Sequence, residues 1–220
     1  MEKATTTTKN FLSNLQESYL KTPGRRRWNA VANPLKLWPS IYDLKGWDEH
    51  PDLKLKRLGM WEFFAKELAR LQITTSIDVG CASAQFTLLQ RLQGIDAYGV
   101  DPQEPYLFSN SEDYERNLLD PKEYLFLGDL ENIIKCLEEY PIQVDCISNL
   151  NFIHGWDSSD EECLNYFKSL SKAATYLIFS YPQQCPAAVN YINDITESVV
   201  AQYNAIGIPH ETHCLIKIKK

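Results

Sequence analysis

Nowhere in the 220 residues does an apolar run approach the ~18 residues that a membrane span requires; the apolar stretches are short, such as Tyr176–Phe179. The N-terminus, Met-Glu-Lys-Ala followed by four threonines, lacks the apolar core of a secretory signal. Membrane insertion and export are therefore not expected, and a cytoplasmic protein is. The six cysteines, at 81, 136, 146, 163, 185 and 214, include no pair spaced like a zinc knuckle or a dithiol redox motif. They read as free thiols, several of them in apolar segments, and no metal is expected. No period of about 20–50 residues recurs, which sets repeat architectures aside.

What remains is ordinary globular composition, 44% hydrophobic and 23% charged, in a chain of 25.4 kDa. A chain of this length buries roughly 70% of its unfolded surface and needs no disulfide or metal staple. The formal charge of −7 is unevenly spread. Residues 1–72 hold 13 Lys and Arg against 8 Asp and Glu, whereas the remaining 148 hold 9 against 21. An acidic body carrying a basic N-terminal extension is a weaker sign of nucleic-acid binding than a basic domain would be.

Along the chain, residues 1–10 are polar and threonine-rich and are expected to fray. A short amphipathic helix is predicted from Phe11 to Tyr19, ended by Thr22-Pro23-Gly24. Arg25-Arg26-Arg27-Trp28 follows, then Pro34, Pro39 and Pro51 with further tryptophans at 38 and 47, a mixture that suits an irregular arm. From Asp52 the apolar period becomes 3.6: Leu58, Trp61, Phe64, Leu68 and Leu71 mark a helix with one buried face. Short apolar strands then alternate with helices. Strands are expected at 73–79, 96–101, 123–128, 144–150, 175–181 and 212–219. Helices are expected at 84–92, 130–140, 159–173 and 187–204, with Ser159 and Glu162 at capping-box spacing. This alternation predicts an α/β fold: a three-layer, Rossmann-like sandwich with a mostly parallel sheet and helices on both faces. Residues 1–51 form a helical and irregular N-terminal extension, a lid or arm, and residues 52–220 form the Rossmann-like domain.

Such sheets bind ligands outside the carboxyl ends of their strands, at the switch point in strand order. The first strand ends in Asp78-Val79-Gly80-Cys81-Ala82-Ser83-Ala84, a small-residue turn that lets a ligand meet free backbone N–H groups. A hydride-transfer dinucleotide fold would place three glycines here, and only Gly80 is present. The second strand ends in Asp101, 23 residues after Asp78 and placed to bond the hydroxyls of a ribose. The third ends in Gly128-Asp129-Leu130, where Asp129 caps the next helix, accepts from an exocyclic amine, or does both. The fourth ends in Ser148-Asn149-Leu150-Asn151, followed by His154-Gly155-Trp156-Asp157, in which His154 is either a structural hydrogen-bonder or a base. The fifth ends in Ser180-Tyr181-Pro182.

In this order the series resembles the class I S-adenosylmethionine-dependent methyltransferases over residues 53–185. The resemblance implies S-adenosylmethionine as cofactor. It implies that Asp78, Gly80 and Ala82 bound the loop around its methionine, that Asp101 holds the ribose, and that Asp129 and Leu130 hold the adenine. Asn149 would line the passage to the acceptor, with His154 close by. Two departures stand out. The family's turn reads acid-x-Gly-x-Gly-x-Gly, and here the second and third glycines are Ala82 and Ala84. A positive φ at 82 would cost an alanine roughly 1 kcal/mol, whereas 84 is expected to matter mainly for helix packing. The family also ends in an antiparallel hairpin, and only its last strand, 212–219, is legible, with at most a stub at Ile206–Pro209.

Methyl transfer from a sulfonium is an in-line displacement, so alignment is the main task and a base serves only a protonated nucleophile. His154 is the first candidate base and Tyr181 the second. Arg25–Arg27 and the tryptophans would suit a lid that draws in an anionic acceptor, or are a solvated run beside gap-filling aromatics. Three functions stay open. The first is a methyltransferase acting on a small or medium-sized acceptor molecule. The second is a catalytically inactive methyltransferase-like domain that binds a protein partner. The third, a nucleic-acid methyltransferase or binder, is disfavoured because the acidic body would repel a duplex. No membrane partner is expected, and the sequence leaves the oligomeric state open.

Overall fold

The computed structural model describes residues 2–22, 51–108, 111–150, 159–182, 185–204 and 212–220. Among the described residues seven strands form one sheet: β1 (Thr75–Val79), β2 (Asp96–Asp101), β3 (Leu125–Leu127), β4 (Val144–Asn149), β5 (Ala174–Ser180), β6 (Thr196–Asn204) and β7 (Thr212–Ile218). Their spatial order is β3-β2-β1-β4-β5-β7-β6. The first five pair in parallel, and β7 runs against both of its neighbours, β5 and β6. The order reverses between β1 and β4, which makes that gap the switch point. All five residues of β1 are buried, as a central strand covered on both faces requires.

Eight helices flank the sheet among the described residues: α1 (Glu2–Lys21), α2 (Pro51–Arg70), α3 (Gln85–Leu92), α4 (Glu104–Leu107), α5 (Ser111–Arg116), α6 (Leu130–Glu139), α7 (Asp160–Ala173) and α8 (Pro186–Ile195). The strand period of two divides the core between the faces. Ile77, Val79, Val100, Ile147 and Phe179 pack under α1, α6, α7 and α8 with Leu12, Leu15, Tyr166 and Phe167. On the opposite face Ala97, Cys146, Ile178 and Leu215 meet Trp61, Phe64 and Leu68 of α2 and Phe86 of α3. No helix among the described residues is long and apolar enough to cross a membrane. All six cysteines are free and buried. The capping box forms as the sequence predicts: the Glu162 N–H donates to Ser159 Oγ at 3.2 Å, and the Ser159 N–H donates to Glu162 Oε2 at 2.7 Å.

Three expectations are corrected. The helix expected at 187–204 ends at Ile195, and Thr196–Asn204 is strand β6, paired antiparallel with β7. The closing hairpin, expected to lack its first strand, is therefore present. Residues 2–10, expected to fray, extend α1 toward the N-terminus. Its inner side buries Thr8, Phe11, Leu12, Leu15 and Tyr19 against the sheet and α6. The strand expected at 123–128 is only Leu125–Leu127, preceded by a single 3-10 turn over Pro121–Glu123 whose cap is Asp120.

Candidate binding site at the carboxyl edge of the sheet

The turn after β1 is built from left-handed backbone. Gly80, Ala82 and Ala84 have φ of 68°, 50° and 59°. The positive φ anticipated for Ala82 is present, and Ala84, expected to matter only for packing, carries the same strain. Two backbone donors, Gly80 N–H and Cys81 N–H, point back to the Val100 carbonyl at 2.8 and 3.2 Å, which sews the turn to β2. Gly99 makes this closeness feasible. A side chain there would put its Cβ 2.8 Å from Cys81 Sγ and 3.0 Å from Thr87 Oγ1. Beneath the turn the buried Tyr114 hydroxyl donates to the Ala84 carbonyl at 3.0 Å.

Two buried carboxylates flank the turn. Asp101, at the tip of β2, accepts the Ala82 N–H on Oδ2 and the Gln103 N–H on Oδ1, both at 2.9 Å. Burial raises its pKa to about 6 against the lowering effect of those two bonds. Asp78 lies deeper, accepting Ser148 Oγ at 2.8 Å and Thr87 Oγ1 at 3.0 Å. Burial pushes it up to about 7; the two hydroxyls oppose this, and the nearby Asp101 charge adds to it. The same burial, with both carboxylates close by, pushes the Cys81 thiol well up, so it stays protonated and is no nucleophile.

At the switch point a small opening is lined by Trp61, Asp78, Gly80, Cys81, Phe86 and Leu150. It thus gathers the ends of β1 and β4, the start of α3 and one face of α2. On its far side Ser180 Oγ donates to the Leu150 carbonyl at 2.6 Å and lies 2.9 Å from Nδ1 of the buried His213.

The structure brings Asp78, Gly80, Ala82 and Asp101 together around one turn. Asp129 stands at the end of β3, where its Oδ1 caps α6 by accepting the Asn132 N–H at 2.9 Å, with the half-buried Leu130 next to it. Asn149 and Tyr181 are turned to the other face. Asn149 donates to the Tyr166 hydroxyl on α7, and Tyr181 stacks on Phe179 with its hydroxyl 3.4 Å from Asn193 Oδ1 on α8. His154 and the Arg25–Trp28 segment with Trp38 and Trp47 lie outside the described residues.

Sequence reasoning missed Thr87, Trp61 and His213, and it noted Ser148 and Ser180 only as polar residues near strand ends. The pairing register supplies the missing signal for Ser148, which sits directly across from Asp78. A parallel order of β1 beside β4, read with the period of two, would have found it. His213 is hidden in an apolar strand.

The α1 helix closes the edge near β3. Its Tyr19 hydroxyl donates to the Pro102 carbonyl, next to Asp101, at 3.0 Å, and its Gln16 Oε1 accepts the Leu127 N–H at 2.8 Å. Asn132, which follows the Asp129 cap, reaches Ser18 Oγ and Thr22 Oγ1 at 3.5 and 3.4 Å.

No protein-family model matches the chain, and no curated protein matches it in sequence. Solved structures do match in fold. Magnesium protoporphyrin IX methyltransferase (ChlM) from Synechocystis PCC 6803, with bound SAH, aligns at a TM-score of 0.60 and 13% identity, covering 96% of this chain and 100% of that one. A putative O-methyltransferase from Klebsiella pneumoniae aligns at 0.57 and 11% identity, covering 96% and 90%. WbdD, described as a bifunctional kinase-methyltransferase, aligns at 0.59 and 15% identity over 84% of this chain. The chain spans a little under half of WbdD's length, 46%.

Proposed function

From the class I methyltransferase fold that the chain has, we propose that it is an S-adenosylmethionine-dependent methyltransferase acting on a small or medium-sized acceptor by in-line methyl transfer. The observation that carries this reading is the bond from the Ala82 N–H to Asp101 Oδ2. It joins a left-handed, small-residue turn to a carboxylate on the neighbouring strand, beside the switch point where such sheets take their ligands.

The residues present fit the cofactor. Residues 80–84 carry small side chains, and Gly80 lines the opening where an amino-acid moiety would lie. Each Asp101 oxygen takes one backbone donor and retains a lone pair for a ribose hydroxyl. Asp129, whose Oδ1 caps α6, and Leu130 would take the base. The cofactor supplies a methyl group on a positively charged sulfur and leaves as a neutral thioether. The chain's own task is then to align the acceptor with that methyl and to exclude water. Leu150, fixed through its carbonyl by Ser180, is the wall between the turn and the acceptor side. A hydroxyl or ammonium acceptor needs a base, and His154 is the one we assign; Tyr181 is second, since its hydroxyl faces Asn193. A thiol or carboxylate acceptor needs neither.

A second reading is a partner-binding domain without catalysis. What favours it is that Ala82 puts a methyl group where the family has glycine, on a turn whose N–H is already held by Asp101. Calorimetric titration with S-adenosylmethionine and S-adenosylhomocysteine separates the two. Micromolar binding that Asp101→Ala abolishes, in a variant that still unfolds cooperatively, supports the enzyme. No binding of either at millimolar concentration sinks it in favour of the partner-binding domain.

A further inference from the structure

The opening at the switch point has a composition that the methionine loop alone does not explain. Two of its six lining residues are aromatic and come from different helices, Trp61 from α2 and Phe86 from α3. A third, Asp78, is a buried carboxylate whose donors are the neutral hydroxyls of Ser148 and Thr87. Among the described residues no lysine, arginine or histidine forms an ion pair with it. Burying a carboxylate without a counter-charge is costly, and an apolar filler would serve the core better. Aromatic side chains and a carboxylate without a counter-charge around one small space are a composition suited to an organic cation.

Position 61 also has a plainer role. With Met60, Phe64, Ala65 and Leu68 it belongs to the side of α2 buried against the sheet, and it is 4% exposed. Leucine or phenylalanine would fill such a site, as Phe64 and Leu68 do one and two turns on. Among the side chains of that stripe, only the indole both lines the opening and offers the strongest π-face for a cation. Resting on the methyltransferase reading, the cofactor would bring two cations to the place where the turn after β1 and the end of β4 meet: the ammonium of its amino-acid moiety, which the demethylated product keeps, and the sulfonium, which that product lacks.

We propose that Trp61, together with Phe86, forms an aromatic wall that recognises the positive charge of the sulfonium, so that Trp61 sets how well the chain distinguishes the charged cofactor from its neutral demethylated product. The contact belongs to the charged ligand alone. Loss of the indole therefore weakens one ligand and spares the other, which a packing role cannot do.

The experiment is calorimetric titration of the full chain, unaltered and as Trp61→Leu and Trp61→Phe, with S-adenosylmethionine and S-adenosylhomocysteine, with circular dichroism on each variant. Trp61→Leu is expected to weaken S-adenosylmethionine about three- to thirtyfold while S-adenosylhomocysteine changes by less than about twofold, and Trp61→Phe is expected to fall between. If Leu at 61 prevents folding, Trp61→Phe, which keeps a ring in the core, carries the comparison alone. Equal weakening of both ligands, or no change in either, overturns the proposal and leaves the methyltransferase reading standing. If neither ligand binds the unaltered chain, both fall together.

Discussion

At the scale of single residues, the turn after β1 carries strain that the sequence advertises and the structure locates. Ala82 and Ala84 both hold left-handed backbone, at about 1–2 kcal/mol each for an alanine. Their surroundings differ. Ala84 is fully buried among Leu88, Leu107, Tyr114 and Leu125, so its methyl repays part of the cost, roughly 0.8 kcal/mol. Ala82 is half-buried and belongs to no core cluster. A glycine relieves the strain at either place but loosens the unfolded chain by about 0.4–1 kcal/mol. Ala82→Gly should therefore stabilise the protein by about 0.5–1 kcal/mol, and Ala84→Gly should change stability by less than that. Urea midpoints at constant slope read the difference. Destabilisation by Ala82→Gly would mean that the left-handed turn is misplaced.

At the scale of elements, α1 is where sequence and structure differ most in meaning. Its first half reads as a polar, fraying tail, yet it is helical and buries Thr8, while Leu12 and Leu15 of the predicted stretch are fully buried. Gly128 leaves room for this docking, because a Cβ there would stand 3.0 Å from Val100 Cγ1 and 3.1 Å from Leu15 Cδ2. Leu15→Ala should cost about 2–5 kcal/mol in urea or thermal unfolding, as for other buried leucines. A cost below about 1 kcal/mol would return α1 to the status of a loose extension. The parallel core was legible because buried strands and helices of ordinary length alternate without interruption. Strand β6 was not, for a physical reason. It lies at the sheet edge with mostly exposed side chains, and register shifts at Thr196/Ser198 and Val199/Ala201 break the period of two. What was left resembled a continuation of α8. The acids Asp78, Asp101 and Asp129 could be read from their places after strands. The facing of Asn149 and Tyr181 could not, because a strand buried on both sides gives no apolar alternation to set its phase.

At the scale of the whole molecule, the two carboxylates set a pH dependence opposite to that of most acidic proteins. Asp78 titrates at about 7 in the folded chain and near 3.8 when unfolded; Asp101 is raised in the same direction, to about 6. A folded state that holds its protons more tightly than the unfolded one loses stability as pH rises through that interval. The loss is absent below about pH 4 and complete above about pH 7, and for Asp78 it amounts to roughly 4 kcal/mol. The many exposed acids blur this in a simple melting curve, so the clean measurement is a difference. Asn at 78 can accept one of the two hydroxyl bonds with its oxygen and offer its NH2 to the other hydroxyl, while remaining neutral at every pH. Relative to the unaltered chain, Asp78→Asn should gain several kcal/mol of unfolding free energy between pH 4 and pH 8, most of it above pH 5. A difference flat in pH would mean that Asp78 ionises freely and that the fold carries no uncompensated charge at its switch point. A rising difference would show the apo protein bearing a standing destabilisation at the place where a cationic ligand would relieve it, the pattern expected of a binding site and not of a scaffold.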